Sequence, residues 1–302
     1  MSNRRKFIQQ IASISAVGLI NPTELIAAKH SEHLCIMHTN DVHSHIEPFP
    51  INNSKYPGMG GVAKRATLIN KIRSEVEHTL LLDAGDMFQG TPYFNYYGGE
   101  IEFKLMNAMK YDAATIGNHD FDNGIDGLAR QVQNAQFKLL SANYNFDNTP
   151  MKGLTKPYQI FNKGKFKIGV FGLGIELNGL VDPKMYGNTT YSDPIKVAQS
   201  QANYLREIKD CNLIICLSHL GLKYEGPKVS DYVIAEQCSE IDIIIGGHTH
   251  SFLKKPVKIM SKSGKYTYIN QVGWAGLNLG RVDVYLDIAK NKFDYVTSSI
   301  DV

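Results

Sequence analysis

The fold is decided by residues 241–250, which read Ile241-Asp242-Ile243-Ile244-Ile245-Gly246-Gly247-His248-Thr249-His250. The first half is the aliphatic run of a buried strand, and the chain then continues into two histidines. Four earlier β-branched or aliphatic runs end in the same manner, in Asp41-Val42-His43, Gly85-Asp86, Gly117-Asn118-His119-Asp120 and Ser218-His219. Because ligands of open α/β sheets bind beyond the carboxyl ends of the strands, we expect these side chains to converge.

The residue types at these strand ends are those of a metal site. Five of the ten histidines lie in the five motifs, which random placement would rarely produce. Mixed Asp, Asn and His ligands without thiolates suit Mn²⁺, Zn²⁺, Fe²⁺ or Co²⁺. Two such ions, roughly 3.5–4 Å apart, hold a phosphoryl group and activate water. A metal pair needs a bridging ligand, for which the carboxylate of Asp86 is the candidate, since Gly85 permits a close backbone approach. The pattern predicts a hydrolase.

Length and composition are those of an ordinary globular protein. The chain has 302 residues, 43% of them hydrophobic and 20% charged, enough for one large α/β domain or two small ones. The formal charge is +3, with no basic stripe beyond the N-terminus. We therefore expect neither a nucleic-acid polymer nor an integral membrane partner. The four cysteines show no CxxC spacing and are expected to be buried thiols, although an even count permits disulfides in an exported protein.

Residues 1–28 are predicted to be an export signal. Asn3-Arg4-Arg5-Lys6-Phe7-Ile8 resembles a twin-arginine motif, residues 11–20 are mostly apolar, and the small pair Ala27-Ala28 follows. About ten apolar residues are too few to span a bilayer, which takes roughly 20. The alternative is a disordered or weakly helical tail. We expect residues 29–302 to form the catalytic domain, exported to the periplasm or the extracellular space by the twin-arginine route.

Strand and helix patterns alternate along most of the chain. Helices are predicted at 61–76, 100–109, 127–136 and 194–209 from apolar residues at helical spacing. Strands are predicted at 34–39, 79–82, 113–116, 137–141, 158–161, 165–172, 213–217, 241–245, 266–272, 280–287 and 292–298. Alternation followed by a run of strands alone indicates a mixed, two-sheet α/β sandwich.

The five motifs in this order resemble the calcineurin-like metallophosphoesterase superfamily. Within it, residues 38–45, 85–92 and 117–122 resemble the 5′-nucleotidase branch, and the resemblance runs from about Leu34 to the end of the chain. It implies a four-layer α/β/β/α sandwich of two mixed β-sheets flanked by helices.

The resemblance also implies the roles of individual residues. One ion is assigned to Asp41, His43, Asp86 and His250, and the other to Asp86, Asn118, His219 and His248. His119 becomes a catalytic histidine paired with Asp122, whose carboxylate fixes the imidazole tautomer and supports its cation. Asn118 and His119 also contact the substrate. Some relatives carry Gln in place of His250, and many carry Glu in place of Asp120.

The implied activity is hydrolysis of phosphomonoesters, nucleotides above all, by in-line attack of a metal-bound hydroxide, with a role in nucleotide catabolism. Better-known nucleotidases hold the base in an aromatic clamp on a C-terminal domain, which these 302 residues are not expected to include. A separately encoded domain or local loops would then select the substrate. Tyr93 and Phe94, in the predicted aromatic loop 91–97, are candidate base contacts, and the polar segment 176–191 is a candidate rim loop. The same aromatics could instead pack between helix and sheet.

Three alternatives stay open. The enzyme could be a cyclic-nucleotide or nucleotide-sugar phosphodiesterase, or a sulfur-ester hydrolase like those of the thiosulfate-oxidising branch. It could also be a metal-binding subunit that is silent until a separately encoded substrate domain docks. Among the remaining polar residues, His38 and His45 are expected to be structural, and Lys64 and Arg65 are expected on a solvated helix face.

Overall fold

The aliphatic runs of the sequence form the strands of two sheets in a computed structural model, which describes residues 31–287 and 292–302. The predicted export segment, residues 1–28, lies outside the described residues. None of the helices within the described ranges has the length and apolar character of a membrane span. The strands are β1 (Ser31–Thr39), β2 (His78–Asp83), β3 (Ala113–Ala114), β4 (Lys138–Leu139), β5 (Tyr144–Asn145), β6 (Tyr158–Lys163), β7 (Phe166–Leu173), β8 (Thr190–Tyr191), β9 (Leu213–Ser218), β10 (Ile243–Gly246), β11 (Val257–Met260), β12 (Tyr266–Asn270), β13 (Asn278–Asp287) and β14 (Lys292–Asp301).

Both large sheets are mixed. The first has the order β14-β13-β1-β2-β3-β4. Its strands β1 to β4 are parallel, and β13 is antiparallel to both of its neighbours, β1 and β14. The second has the order β11-β12-β10-β9-β7-β6, in which β7, β9, β10 and β12 are parallel and the two outer strands are antiparallel. A small third sheet pairs β5 with β8.

Helices cover the outer faces of the two large sheets. They are α1 (Val62–Glu75), α2 (Pro92–Tyr97), α3 (Glu100–Ala108), α4 (Gly124–Val132), α5 (Pro183–Tyr186), α6 (Pro194–Asn203) and α7 (Asp231–Gln237). Hydrophobic residues of α1, α3 and α4 pack in one cluster with residues of the first sheet, and those of α6 and α7 pack in another with residues of the second sheet. This is the predicted four-layer α/β/β/α sandwich, and the fold class is confirmed.

Each central strand is buried on both faces. In β1, Leu34 and Ile36 pack between the sheets, whereas Cys35 and Met37 face the helices. Residues of the second sheet divide in the same way between the inter-sheet cluster and the helix-facing cluster. This double burial explains why the strands read as continuous aliphatic runs rather than as alternating patterns.

Some elements differ from their predicted form. Segment 91–97, predicted as a loop, contains α2, which begins at Pro92 because a proline at the first helical position has no N–H to leave unpaired. The helix predicted at 194–209 is α-helical only to Asn203 and continues as a π-helical turn, Tyr204–Ile208. All four cysteines are buried and free, as expected.

The prediction of a solvated face is correct for Lys64 and wrong for Arg65, which is 3% exposed. Arg65 shares one face of α1 with Ile69 and Ile72, since residues four and seven positions apart lie above one another on a helix. The spacing of Arg65 from these two apolar residues was therefore the sequence signal that indicated its burial.

Candidate metal centre

The polar strand ends of the two sheets meet at one end of the interface between them. The first sheet contributes Asp41 and His43 after β1, Asp86 after β2 and Asn118 after β3, and the second contributes His219 after β9 and His248 and His250 after β10. All seven residues predicted as ligands are thereby brought into one region.

One group of potential ligands consists of Asp41, His43 and His250, whose ligand atoms lie within 4.8 Å of one another. His250 Nε2 is 3.3 Å from Asp41 Oδ1 and 3.1 Å from His43 Nε2. Two imidazole nitrogens and a carboxylate oxygen that converge in this way form an N₂O donor set for a divalent ion.

A second group consists of Asp86, His219 and His248, again with ligand atoms within 4.8 Å of one another. His219 Nε2 is 3.0 Å from Asp86 Oδ2, and His248 Nδ1 is 2.8 Å from Asn118 Oδ1. The division into two groups is the one that the family resemblance implies.

Asp86 lies between the two groups. Its Oδ2 is 3.0 Å from His219 Nε2 and 3.7 Å from His43 Nε2, while its Oδ1 accepts a hydrogen bond from the backbone N–H of His119 at 2.8 Å. One carboxylate oxygen therefore faces both groups, as a bridging ligand must.

The histidines fit a metal because their other ring nitrogens are already engaged. His219 is fully buried, and its Nδ1 lies 2.6 Å from the carbonyl oxygen of Ala84. Its Nε2 has no hydrogen-bond partner, since the nearby Asp86 oxygen lies outside hydrogen-bonding geometry. His43 Nδ1 similarly lies 3.1 Å from the carbonyl oxygen of Phe88. A carbonyl at Nδ1 selects the tautomer whose Nε2 lone pair binds a metal.

The electrostatics of the site favour a positive charge beside Asp86. Burial lowers the pKa of His43 and, with the neighbouring His219, lowers the pKa of His248 to about 4. Both shifts favour the neutral imidazole, which is the form that ligates metals. Burial would also lower the pKa of His219, but the Asp86 carboxylate outweighs it and raises this pKa to about 10.

Five of the site residues adopt a left-handed backbone, with φ of 50° at Asp41, 50° at His43, 56° at Asp86, 69° at His248 and 51° at His250. Residues other than glycine rarely adopt this conformation, which costs of the order of 1–3 kcal/mol each and persists only where the surroundings enforce it. Here the backbone N–H groups of Asp41 and His43 donate to the carbonyl oxygens of Gly85 and Asp86, at 2.9 and 3.0 Å. The loops after β1 and β2 thus hold each other in place.

A further contact joins the two sheets at the site. The backbone N–H of His248 donates to both carboxylate oxygens of Asp41, at 2.9 and 3.0 Å. Asp41 Oδ2 also accepts a hydrogen bond of 2.6 Å from the Asn40 side chain. These bonds fix the Asp41 carboxylate against the segment after β10, which carries His248 and His250.

Asp120 ties together the loops after β2 and β3. It is fully buried, and its two oxygens accept four backbone hydrogen bonds: Oδ1 from Met87 and Phe88 at 2.8 and 3.2 Å, Oδ2 from Asp86 and Gly117 at 3.1 and 2.8 Å. Burial and the neighbouring Asp86 carboxylate raise the pKa of Asp120. The four N–H donors act in the opposite sense and favour the ionised form, since they occupy both oxygens and leave neither free to carry a proton. Three of the donors come from a loop more than 30 residues away, so the sequence carries no local signal for this role.

Two glycines make the close approach of these loops possible. A Cβ atom on Gly117 would lie 2.1 Å from Asp86 Oδ1, and one on Gly85 would lie 2.6 Å from the backbone nitrogen of Gly117. Gly85 also has a φ of 88°. Any side chain at either position would push Asp86 away from the histidines.

His119 lies beside His43 and contacts Asp122. Its Nδ1 lies 2.8 Å from Asp122 Oδ2, and its ring centroid lies 5.2 Å from that of His43. The hydrogen bond to Asp122 raises the pKa of His119, with burial acting in the opposite sense. The predicted pair is thus in contact. A 3₁₀ turn over His119–Phe121 brings together these two residues, which are three positions apart in the sequence.

The two predicted aromatic contacts lie in different surroundings. Tyr93 is half-buried, and its hydroxyl donates to Glu47 at 3.1 Å. Phe94 is 8% exposed and packs against Phe88 at a ring distance of 5.6 Å, so little of its ring reaches solvent. Only Tyr93 of this pair is accessible to a ligand.

Trp274, for which no role was predicted, also lies beside the site. Its ring is parallel to that of His250, at a centroid distance of 5.8 Å and an angle of 5°, and it meets His45 edge-on at 5.3 Å. It is the only tryptophan of the chain, but nothing in its sequence neighbourhood indicates contact with a histidine 24 residues earlier.

Comparison with known proteins gives a consistent result. The family model described as calcineurin-like phosphoesterase matches residues 35–252. A snake venom 5′-nucleotidase of Crotalus adamanteus is 36% identical over 284 residues, which cover 87% of this chain and 47% of that protein.

Two solved structures share the architecture. The 5′-nucleotidase precursor of Thermus thermophilus has a TM-score of 0.81 and 31% identity, covering 89% of this chain and 54% of that one. The NAD nucleotidase of Haemophilus influenzae has a TM-score of 0.77 and 28% identity, covering 88% and 49%. The chain spans about half the length of each of these three proteins.

Proposed function

This chain belongs to the calcineurin-like phosphoesterase family, and from that premise we propose that it hydrolyses phosphomonoesters, nucleotides above all, with two divalent metal ions. The observation that carries the proposal is the position of Asp86, whose Oδ2 lies 3.0 Å from His219 and 3.7 Å from His43. A carboxylate shared by two donor groups is the arrangement that a metal pair requires.

Seven residues would hold the ions: Asp41, His43, Asp86 and His250 on one side, and Asp86, Asn118, His219 and His248 on the other. When bound, Mn²⁺, Zn²⁺, Fe²⁺ or Co²⁺ would supply Lewis-acid activation of the phosphoryl group and of the attacking water. The protein keeps the donor atoms in place through the backbone contacts of Asp41 and Asp120.

His119 supplies the proton chemistry. Asp122 holds Nδ1 and stabilises the imidazolium, so that Nε2 is free to donate a hydrogen bond to a phosphoryl or leaving-group oxygen. As the leaving oxygen gains negative charge, the cation stabilises it and can transfer its proton.

Replacement of His119 tests this assignment. We expect His119→Asn to retain both metals, because this residue is outside both ligand groups, and to lower kcat by about 10²–10⁴-fold. Metal content by mass spectrometry and kcat on para-nitrophenyl phosphate should be measured on the same preparations. Unchanged turnover in the variant would show that His119 has no catalytic role.

Substrate class requires a separate experiment. AMP, UDP-glucose, 2′,3′-cyclic AMP, a thiosulfonate ester and para-nitrophenyl phosphate should be compared with Mn²⁺, Zn²⁺ and Co²⁺ in parallel. Preference for AMP supports the proposal. Preference for a diester or the sulfur ester would instead favour the phosphodiesterase or sulfur-ester alternative.

We further propose that a nucleotide-selecting domain works together with this one. The chain matches about half of each relative, so the other half of those proteins is available for substrate selection. Such a domain could belong to the same or to a separate polypeptide. High selectivity for AMP by these 302 residues alone would contradict this proposal.

We also propose export of the protein, through residues 1–28. The names of two relatives, a snake venom enzyme and a precursor, are consistent with secretion. Replacement of both Arg4 and Arg5 by Lys should retain the protein in the cytoplasm if the twin-arginine route is used, as fractionation and immunoblotting would show.

A further inference from the structure

A small cavity lies behind the loop that carries Asp41 and His43. Its volume is about 30 Å³. Most of its lining is apolar, from α1, α3 and the loop after β1, and six polar residues also line it: Ser44, His45, Arg65, Asp83, Glu102 and Tyr111. Ser44 directly follows His43, so the cavity and the metal centre share one loop.

The wall of this cavity contains several buried polar atoms without a hydrogen-bond partner. Within residues 31–287 and 292–302, eleven buried side-chain nitrogen or oxygen atoms have no hydrogen-bond partner, and five of them are Ser44 Oγ, Arg65 Nε and Nη1, and both carboxylate oxygens of Glu102. These three residues are 1%, 3% and 6% exposed. Native proteins rarely leave buried polar groups unpaired, and charged ones least of all, so the cavity should contain their partners.

The charges on the wall identify the occupant. Arg65 carries a guanidinium, whereas Glu102 and Asp83 carry carboxyl groups. An anion would therefore lie beside two carboxyl groups, and a cation would lie beside the guanidinium. Water both donates and accepts, and the volume admits about two molecules. Burial raises the pKa of Glu102, and the nearby Ser44 hydroxyl opposes this shift although it lies outside hydrogen-bonding geometry with the carboxyl group.

We propose that this cavity holds about two ordered water molecules, which hydrogen-bond to Ser44, Arg65 and Glu102 and thereby position the loop of Asp41 and His43. The positioning role rests on the proposed metal centre, whereas the presence of the waters does not. Arg65 and Glu102 act as positioning residues, since they reach the ligands only through other groups.

The surroundings of Ser44 show why its side chain matters. Ser44 has a left-handed φ of 54°, its N–H donates to Met87 at 3.0 Å, and its carbonyl accepts from the Thr91 hydroxyl at 2.8 Å. Both backbone polar groups are therefore anchored, and the hydroxyl that faces the cavity is the remaining contact point.

Arg65 supports the same loop from the other side. Its guanidinium packs so closely on Gly276 that a Cβ there would lie 1.8 Å from Nη1. The adjacent Ala275 donates its N–H to the carbonyl of Asp41 at 2.8 Å. Water that satisfies Arg65 thus holds the segment that contacts Asp41.

A high-resolution crystal structure of the protein, with a second crystal soaked in bromide, tests the occupant. We expect water density within hydrogen-bond distance of Glu102, Arg65 and Ser44, and no anomalous bromide peak in the cavity. A dry cavity, or a bromide peak inside it, would overturn the proposal.

Variants at Glu102 test the positioning role by calorimetric titration of the metal-free protein with Mn²⁺. Glu102→Leu removes the acceptors, so Mn²⁺ affinity should fall about tenfold, as for other groups that orient metal ligands. Glu102→Gln keeps an acceptor and should restore affinity close to that of the wild type. Met106→Leu, an apolar exchange in the same wall, is the matched control and should also match the wild type.

An unchanged affinity in Glu102→Leu, with the waters still present, would refute the positioning role. If Glu102→Leu does not fold, Ser44→Ala removes one hydroxyl only, and an unchanged Mn²⁺ affinity in that variant would refute it equally. Neither measurement uses a substrate. A failure of the positioning role could therefore be distinguished from a failure of the proposed phosphoesterase activity. Absence of Mn²⁺ binding by the wild type would refute the metal centre and leave the water sites to be judged by crystallography.

Discussion

Replacement of Asp120 by asparagine should destabilise the protein and weaken its metal centre together. Asp120 is fully buried, and each carboxylate oxygen accepts two backbone hydrogen bonds. In Asp120→Asn one of these oxygens becomes an NH₂ group that faces two N–H donors. Two hydrogen bonds are lost, and two buried N–H groups remain without an acceptor.

The magnitude follows from those two groups. An unsatisfied buried donor costs about 1–3 kcal/mol, so the variant should lose about 2–6 kcal/mol of its free energy of unfolding. This is a large share of the roughly 5–15 kcal/mol typical of a folded protein. Whichever oxygen is replaced, the affected pair of donors includes either Asp86 or its neighbour Met87, so the proposed bridging carboxylate should shift as well.

Urea unfolding followed by circular dichroism measures the first effect, and calorimetric titration with Mn²⁺ measures the second. Asp147→Asn is the matched control, because it makes the same chemical change at an exposed loop position. Its free energy of unfolding should change by no more than about 0.5 kcal/mol.

A neutral Asp120 in the folded protein would already resemble asparagine, since a protonated carboxyl group carries a donor of its own. An Asp120→Asn variant with wild-type stability and wild-type Mn²⁺ affinity would therefore refute the ionised state and the role as organiser of the two loops.

Three other outcomes are expected. Asp86→Ala should reduce metal content from two ions to none, whereas His250→Ala should lose one ion, as inductively coupled plasma mass spectrometry would show; equal losses would argue against a bridging role. Asp122→Asn removes the main cause of the raised pKa of His119, so the imidazolium, and any activity that requires it, should be lost at a lower pH than in the wild type; an unshifted pH profile of kcat/KM would contradict this. Phe94→Ala should cost about 3–5 kcal/mol of unfolding free energy without a specific change in KM, because this ring is buried; a raised KM at wild-type stability would restore its predicted substrate role.

Much of the fold could be predicted from local patterns. The aliphatic runs of β1, β9 and β10 are long enough and apolar enough to indicate strands buried on both faces. The polar residues that follow them indicated one shared site, since parallel strands place their carboxyl ends at the same edge. These signals depend only on neighbouring residues, and for that reason they could be recognised in the sequence.

The residues that support the site could not be recognised from local patterns in the same way. Asp120 stands among predicted site residues, yet its role depends on N–H groups of residues 86–88. Arg65 was expected in solvent, although its spacing from Ile69 and Ile72 placed it on the buried face of α1. Charge suggested exposure, and the cavity that receives the guanidinium is formed by α3 and by the loop after β1.

The sequence by itself therefore determined the strands and the order of the metal-site motifs, since each is a relation between residues close in the chain, and the family resemblance implied the pairing of His119 with Asp122. Only the tertiary structure decided that Asp86 faces both histidine groups, that Phe94 is buried while Tyr93 is half-buried, and that five site residues hold a left-handed backbone. The physical reason is that these features are enforced by contacts between separate loops and sheets. Such contacts form only when the two sheets pack, and no stretch of the sequence contains them.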